Sequence, residues 1–172
     1  MTLSCSMPAF RTSPFPLVLP GRCAISQPAA LVETIQAGVQ KIPDSQLHPL
    51  PVPARGPAFQ PRILLAVLTF CYATQVYAAS AIRRQMLQDP ACRSVCQGEF
   101  PFPCEVRAFR HLNRAELEKC LTTALRFLEQ QKFAARMTTP LDETLIAEEA
   151  KRRIIMAACL DSMELDAARF SC

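Results

Sequence analysis

Three arginines and a histidine form the group of polar residues whose spacing most clearly points to a binding function. Arg107, Arg110 and Arg114 follow one another at three- and four-residue intervals, and His111 lies beside them. On a short helix this spacing predicts a cationic stripe, which can meet the phosphates or the major-groove edge of double-stranded DNA. A solvated surface without a ligand is the alternative interpretation, and the charge pattern alone does not separate the two.

The residues usually found in catalytic sites are not arranged for catalysis in this sequence. The chain has two histidines; His48 lies in a proline-rich stretch and His111 on the basic helix, and neither has neighbours that would orient an imidazole toward a nucleophile. The carboxylates between 142 and 166 look like helix caps, ion-pair partners and a solvated helix face. Four glycines are too few for a phosphate-binding loop. We therefore expect no enzymatic activity.

Cysteine spacing gives a weak indication of a metal site. Cys92, Cys96 and Cys104 would need a fourth ligand from the more distant His111 or Cys120 to complete a structural zinc site. The four-residue step from Cys92 to Cys96 also suits two buried small residues on one helix. We expect neither a metal nor a cofactor. The nine cysteines lack paired spacing and no secretory signal precedes them, so free thiols and a cytoplasmic location are expected.

The distribution of proline and charge divides the chain. Of the 15 prolines, 11 lie at or before Pro61, and residues 1–59 are therefore expected to form a largely disordered tail. A short helix around 29–39 is the one element that this tail could contain. Scarce glycine and long apolar periodicities predict an all-α domain over 60–166, followed by a frayed end at 167–172. Residues 61–115 carry seven Lys or Arg against three acids, so a polyanion partner would bind there.

The most apolar stretch, 63–82, contains no charged residue and allows two interpretations. Twenty uncharged residues could span a bilayer, but four polar residues dilute the run and arginines flank both of its ends. The alternative is a pair of buried helices, about 61–74 and 79–89, joined by a bend near 75–78. Pro90 would then begin a short third helix that extends to Cys96.

Three further helices are predicted after the loop at 97–103. The first carries the arginine stripe, with Val106, Phe109 and Leu112 on its apolar side. Asn113 is expected to cap the next helix in a capping box with Glu116, and that helix should extend to about residue 132. Its apolar face is predicted from the helical spacing of Leu117, Cys120, Leu121, Ala124, Leu125 and Leu128. The last helix should begin after Asp142 and bury the residues Ile146, Ala150, Ile154, Ala157 and Ala158. The predicted architecture is a compact bundle of about six helices with a helix-turn-helix-like basic region.

Four segments in this order resemble the N-terminal helical (InsH-like) domain of bacterial insertion-sequence transposases. The matching stretches are QVYAASAIRR at 75–84, DPACRSVCQG at 89–98, PFPCEVRAFRHLN at 101–113 and LEKCLTTALRFL at 117–128. The Phe-Arg pair of the family is present as Phe109 and Arg110. Its serine pair is replaced by Ala78 and Ala79, which removes a hydroxyl helix cap, and its loop aspartate is Phe102.

The resemblance implies a DNA-binding or dimerising module that performs no strand transfer, because the catalytic domain of the family is expected to be missing here. It implies contacts to double-stranded DNA, such as the ends of an element, a possible homodimer, and a partnership with a separately encoded catalytic chain or a decayed origin. It also favours the buried pair of helices over the membrane span. Backbone contacts from Arg83, Arg84 and Arg93 would support the arginine stripe. A helical protein–protein module that binds no DNA is the remaining alternative.

Overall fold

Every element that the structure describes is helical. The structure is a computed structural model and describes residues 28–50, 59–98, 100–134 and 142–170. Within these ranges it contains no strand, which confirms the predicted all-α class. The helices in chain order are α1 (Pro28–Gln40), α2 (Pro61–Ala73), α3 (Ala79–Gln88), α4 (Pro90–Cys96), α5 (Pro103–Leu112), α6 (Arg114–Ala134) and α7 (Glu143–Phe170). A short 3-10 turn at Asp44–Gln46 lies between α1 and α2.

α2 is the central helix of the bundle. All its residues from Ile63 to Ala73 are buried, and it packs against α1, α4 and α6. The uncharged stretch 63–82 is therefore divided between α2 and α3, as the second interpretation predicted. In the part of the chain that the structure describes, no helix is both long and apolar enough to cross a membrane.

The bend after α2 is a Schellman motif. The backbone N–H of Val76 donates to the carbonyl of Cys71 at 2.8 Å, and that of Gln75 donates to Tyr72 at 3.3 Å. Gln75 takes the left-handed φ of 66° that glycine usually provides at this position. The helix break is thus encoded in the backbone geometry, and its predicted place near 75–78 is confirmed.

The interpretation of residues 1–59 as a disordered tail was wrong for residues 28–50. α1 buries Leu31, Ile35 and Val39 against α2 and α6, and the short helix expected around 29–39 is part of the core. A lone helix of this length cannot offset its ordering entropy, but two apolar neighbours provide the surface that it lacks. Residues 1–27 and 51–58 lie outside the described residues.

Two polar side chains fix this N-terminal segment to the bundle. Arg62 donates from its guanidinium to the carbonyl of Val39 in the last turn of α1 at 2.7 Å and to that of Ile42 just after the helix at 2.8 Å. Buried Asn113 accepts from the backbone N–H of His48 at 2.7 Å and donates to its carbonyl at 2.9 Å. Asn113 precedes α6 as predicted, but the expected capping role of its side chain is wrong because that side chain binds His48.

α6 and α7 form a long antiparallel pair that covers one side of the bundle. α6 buries five of its six predicted core residues, and the sixth, Leu128, is partly buried. α7 buries the line Ile146, Ala150, Ile154 and Ala157. Ala158 was placed wrongly on this line and is exposed. α7 also continues to Phe170, beyond the end predicted at residue 166.

Candidate nucleic-acid interface

Arg110, the central residue of the predicted stripe, is not on the surface. The residue is 7% exposed, and its guanidinium forms an ion pair with Asp161 on α7 at 2.5 Å. A second nitrogen of the same guanidinium donates to the hydroxyl of Tyr72 at 3.0 Å. Placing Arg110 on the DNA-binding face was therefore wrong, because a guanidinium enclosed in this way has no access to a phosphate.

Helical periodicity explains why Arg110 faces inward. It is four residues after Val106 and next to Phe109, both of which are buried, so it lies on the inner side of α5. Burial alone would lower the pKa of Arg110, but Tyr72 and Asp161 beside it raise that pKa, and the guanidinium is charged. Burial also raises the pKa of Tyr72 to about 12, against the opposing effect of Arg110, so its hydroxyl is neutral.

Asp161 supplies the helix cap that α3 lacks in its own sequence. One carboxylate oxygen of Asp161 holds Arg110, and the other accepts from the backbone N–H of Ala79, the first residue of α3, at 2.7 Å. The residue before α3, Ala78, provides no side-chain cap. A carboxylate at this end of a helix satisfies an unpaired N–H and interacts favourably with the helix dipole. The hydroxyl of Ser80, the second residue of α3, donates to Glu164 of α7 at 2.6 Å.

Arg153 provides the matching contact at the end of α2. Its guanidinium is buried and donates to the carbonyls of Tyr72 and Ala73 at 2.8 and 3.0 Å. Glu149, one turn earlier on α7, accepts from the same guanidinium at 2.7 Å. α7 therefore binds both sides of the break between α2 and α3, with a cation at the C-terminus of α2 and an anion at the N-terminus of α3.

These buried groups were missed or misinterpreted in the sequence. Asp161 is one of the carboxylates between 142 and 166, which were interpreted as helix caps, ion-pair partners and a solvated helix face. Arg153 and Asp161 both continue the buried line of α7, since Asp161 follows Ala157 by four residues and Arg153 precedes it by four. That spacing was the available signal, and the charge of the two residues concealed it.

Two of the predicted supporting arginines bind backbone carbonyls within the basic region. Arg83 donates to the carbonyls of Phe100 and Pro101 at 3.2 and 3.1 Å, and its guanidinium lies 4.3 Å from the ring centroid of Phe102. The guanidinium of Arg93 donates to the carbonyl of Leu87 near the end of α3. Both groups use part of their hydrogen-bonding capacity within the chain.

The remaining predicted residues are accessible. Arg84 on α3, His111 on α5 and Arg114 at the start of α6 are exposed, and Arg107 is half-buried. Arg107 and His111 are four residues apart on one side of α5, and Arg114 follows directly after the helix ends. Arg107, His111 and Arg114 therefore still form an accessible basic stripe, from which Arg110 is missing.

The basic residues in two parts of the chain differ in how their charge is compensated. Each described lysine and arginine of α6 after Arg114, and each of α7, has a carboxylate within 4.0 Å. Among the described residues, no such carboxylate lies beside the arginines of α3–α5 and the start of α6, Arg110 excepted. These uncompensated arginines, Arg83, Arg84, Arg93, Arg107 and Arg114, are called the basic segment below.

No metal cluster accompanies the basic segment in the described ranges. No set of three potential ligands converges there, and Cys104 is exposed whereas Cys92 and Cys96 are buried. Cys92 lies 3.8 Å from the thiol of Cys71, and this hydrogen bond raises its pKa. A groove of about 600 Å³ between α1, α2 and α4 has Glu33 and Arg62 as its charged lining residues.

Comparison of the chain with protein-family models, with curated proteins and with solved structures finds no match. The transposase resemblance therefore depends on the short motifs alone and stays a prediction.

Proposed function

We propose that this chain is a helical DNA-binding and dimerisation module of the kind found at the N-terminus of insertion-sequence transposases. The observation that carries the proposal is the contrast in charge compensation: among the described residues, carboxylates neutralise the cations of α6 and α7, and none lies within 4.0 Å of the arginines of the basic segment. Cations left in this state are available to a polyanion. The proposed activity is DNA recognition, and strand transfer would be the task of another domain or chain.

The physical basis is counterion release. A duplex that exchanges condensed counterions for arginines gains free energy without reading sequence, and helices that present arginines fit its groove and backbone. Arg84, Arg107 and Arg114 are the candidates for direct phosphate contact, and His111 is the candidate for a base contact. Arg83 is assigned to shaping the loop before α5, Arg93 to the contact with the end of α3, and Arg110 to the scaffold.

The dimerisation part of the proposal is supported by the outer face of α7. This face exposes large apolar side chains, including Ile155 and Met163, that no other described part of the bundle covers. If the chain only dimerises and binds no DNA, it is the protein–protein module that the sequence left open.

A cytoplasmic location fits both versions, since the six described cysteines are free thiols.

A salt series of DNA binding tests the proposal. The full chain is titrated onto a random-sequence duplex, and the logarithm of the association constant is plotted against the logarithm of the salt concentration. Each phosphate contact contributes about 0.9 to the slope, so three contacting arginines predict about −2.7. Selection of duplexes from a random pool then shows whether a particular sequence is preferred.

Substitutions assign the slope to residues. Arg107→Ala and Arg114→Ala are each expected to lower its magnitude by about 0.9. Lys119→Ala is the matched control, because Lys119 is an exposed cation of α6 that pairs with Glu116, and it should leave the slope unchanged. Absence of binding at low salt, or a slope insensitive to Arg107 and Arg114, refutes the DNA half of the proposal.

A further inference from the structure

The outer face of α7 carries an apolar stripe that nothing in the described bundle covers. Ile155, Cys159 and Met163 are spaced by four residues and lie on the side of the helix opposite the buried line of α7. Ile155 is 50% exposed and Met163 67% exposed, and the thiol of Cys159 is also exposed. Three such residues in succession form a continuous apolar strip over about two turns.

Opposite charges lie at the two ends of this strip. Arg152 precedes Cys159 by seven residues and Asp166 follows it by seven, so both lie on the same face as the strip. Each of them pairs with a neighbour on its own helix, Arg152 with Glu149 and Asp166 with Arg169, and both stay accessible to a partner, at 47% and 63% exposure. Apolar residues therefore lie at equal distances on either side of Cys159, and the charges at equal distances from it are opposite in sign.

We infer that two copies of this chain associate through α7, antiparallel, with Cys159 on the two-fold axis. In this arrangement Ile155 packs against the partner's Met163, and Arg152 lies opposite the partner's Asp166. Each contact occurs twice, as an isologous interface requires. A parallel arrangement would place Arg152 opposite Arg152 and Asp166 opposite Asp166, and like charges would oppose it. Charge complementarity therefore selects a second copy in the antiparallel direction.

The paired stretch is short. From Arg152 to Asp166 the helix rises about 21 Å, which is about four turns. Helix pairs of this length bury less surface than a permanent dimer, so association is expected to be reversible and dependent on concentration. This inference rests on the dimerisation half of the proposed function and does not depend on DNA binding.

Sedimentation analysis of the full chain over a concentration series tests the pairing. The wild-type chain is expected to show a monomer–dimer equilibrium, and Ile155→Glu to raise its dissociation constant at least tenfold, because two carboxylates would enter the apolar strip. Leu145→Glu is the matched control: Leu145 is equally exposed on the same helix, ten residues before Ile155 and outside the paired stretch. A chain that stays monomeric at all concentrations, or a dimer that Ile155→Glu leaves intact, overturns the inference.

A charge exchange tests the antiparallel direction. Arg152→Asp and Asp166→Arg should each weaken the dimer, and the double variant should restore it, because the opposite pairs are re-formed across the axis. A double variant weaker than both single variants overturns the antiparallel arrangement. Circular dichroism of each variant establishes that the helices are retained.

A thiol cross-link tests the position of the axis. In a chain whose Cys5, Cys23, Cys104 and Cys172 are replaced by serine, Cys159 is the exposed thiol, and a short bismaleimide should join two copies through it. Cys159→Ser in the same chain should abolish the cross-link, and a cross-link that persists or never forms overturns the register.

Ile155→Glu is also titrated with DNA. A monomer that keeps the salt slope shows that the two halves of the function are separate, whereas a dimer without DNA binding refutes only the DNA half.

Discussion

Replacing Asp161 by alanine should be among the most destabilising substitutions in the chain. Asp161 is 2% exposed and uses both carboxylate oxygens, one for Arg110 and one for the N–H of Ala79. Asp161→Ala leaves a buried guanidinium with the Tyr72 hydroxyl as its one described partner, and it leaves the first N–H of α3 unpaired. Removing one member of a buried ion pair costs about 3–5 kcal/mol, and we expect a loss in this range.

The same reasoning predicts strong non-additivity. Arg110→Met removes the cation and leaves Asp161 buried without it, so it should also cost about 3–5 kcal/mol. The double variant Arg110→Met with Asp161→Leu removes both charges and fills the space with apolar atoms. Its remaining costs are the unpaired N–H of Ala79 and the buried Tyr72 hydroxyl that loses Arg110, about 1–3 kcal/mol for each group. The double variant should therefore cost less than the sum of the two single effects.

Urea unfolding followed by far-ultraviolet circular dichroism measures these free energies. Asp166→Ala is the control, because Asp166 is an exposed aspartate of the same helix, and its effect should stay within about 0.5 kcal/mol. Two results would refute the reasoning. One is an Asp161→Ala variant as stable as the control, and the other is a pair of single effects that simply add in the double variant.

Two further predictions concern the N-terminal helix and the acid stability of α7. Ile35→Ala should cost about 2–5 kcal/mol in the same urea assay, because Ile35 is buried between α1 and the bundle. The control Gln36→Ala changes an exposed residue of the same helix and should cost little. Equal effects of the two substitutions would contradict the packing of α1 against the bundle. Burial would raise the pKa of Glu149, but hydrogen bonds from Arg152 and Arg153 lower it below 4.5. The stabilising effect of ionised Glu149 is therefore complete above pH 4.5 and lost as the pH falls through the lowered pKa. Glu149→Gln should make the free energy of unfolding depend less on pH in that range. An unchanged pH dependence would contradict this prediction.

Much of the helical order was predictable because its signals are local. Pro61, Pro90 and Pro103 begin three of the helices, as expected from a residue whose fixed φ suits a first turn. The apolar spacing of α6 likewise predicted its buried face. α1 was identified as a possible helix but assigned to the tail, because its stability depends on the surfaces of α2 and α6, which are distant in sequence.

The site was harder to predict because its decisive contacts are long-range. The spacing of Arg107, Arg110 and Arg114 fits a stripe, but Arg110 also shares the inner side of α5 with Val106 and Phe109. An arginine takes such a position only when a buried acid receives it, and that acid, Asp161, lies 51 residues away. Nothing local to α5 indicates it. The accessible arginines were identified correctly as surface residues, and their binding role stays a prediction.

α7 connects the scaffold to both proposed activities. Arg153 and Asp161 are eight residues apart, about 12 Å along the helix, and together they bind the two ends of the break between α2 and α3. The direction of α3, and with it the position of Arg84, therefore depends on α7. The inner face of α7 sets where the basic segment lies, and its outer face is the surface proposed to pair with a second copy. Because one helix carries both faces, pairing two copies through α7 would also fix the distance between their two basic segments, which is the geometric requirement for reading a two-fold DNA site.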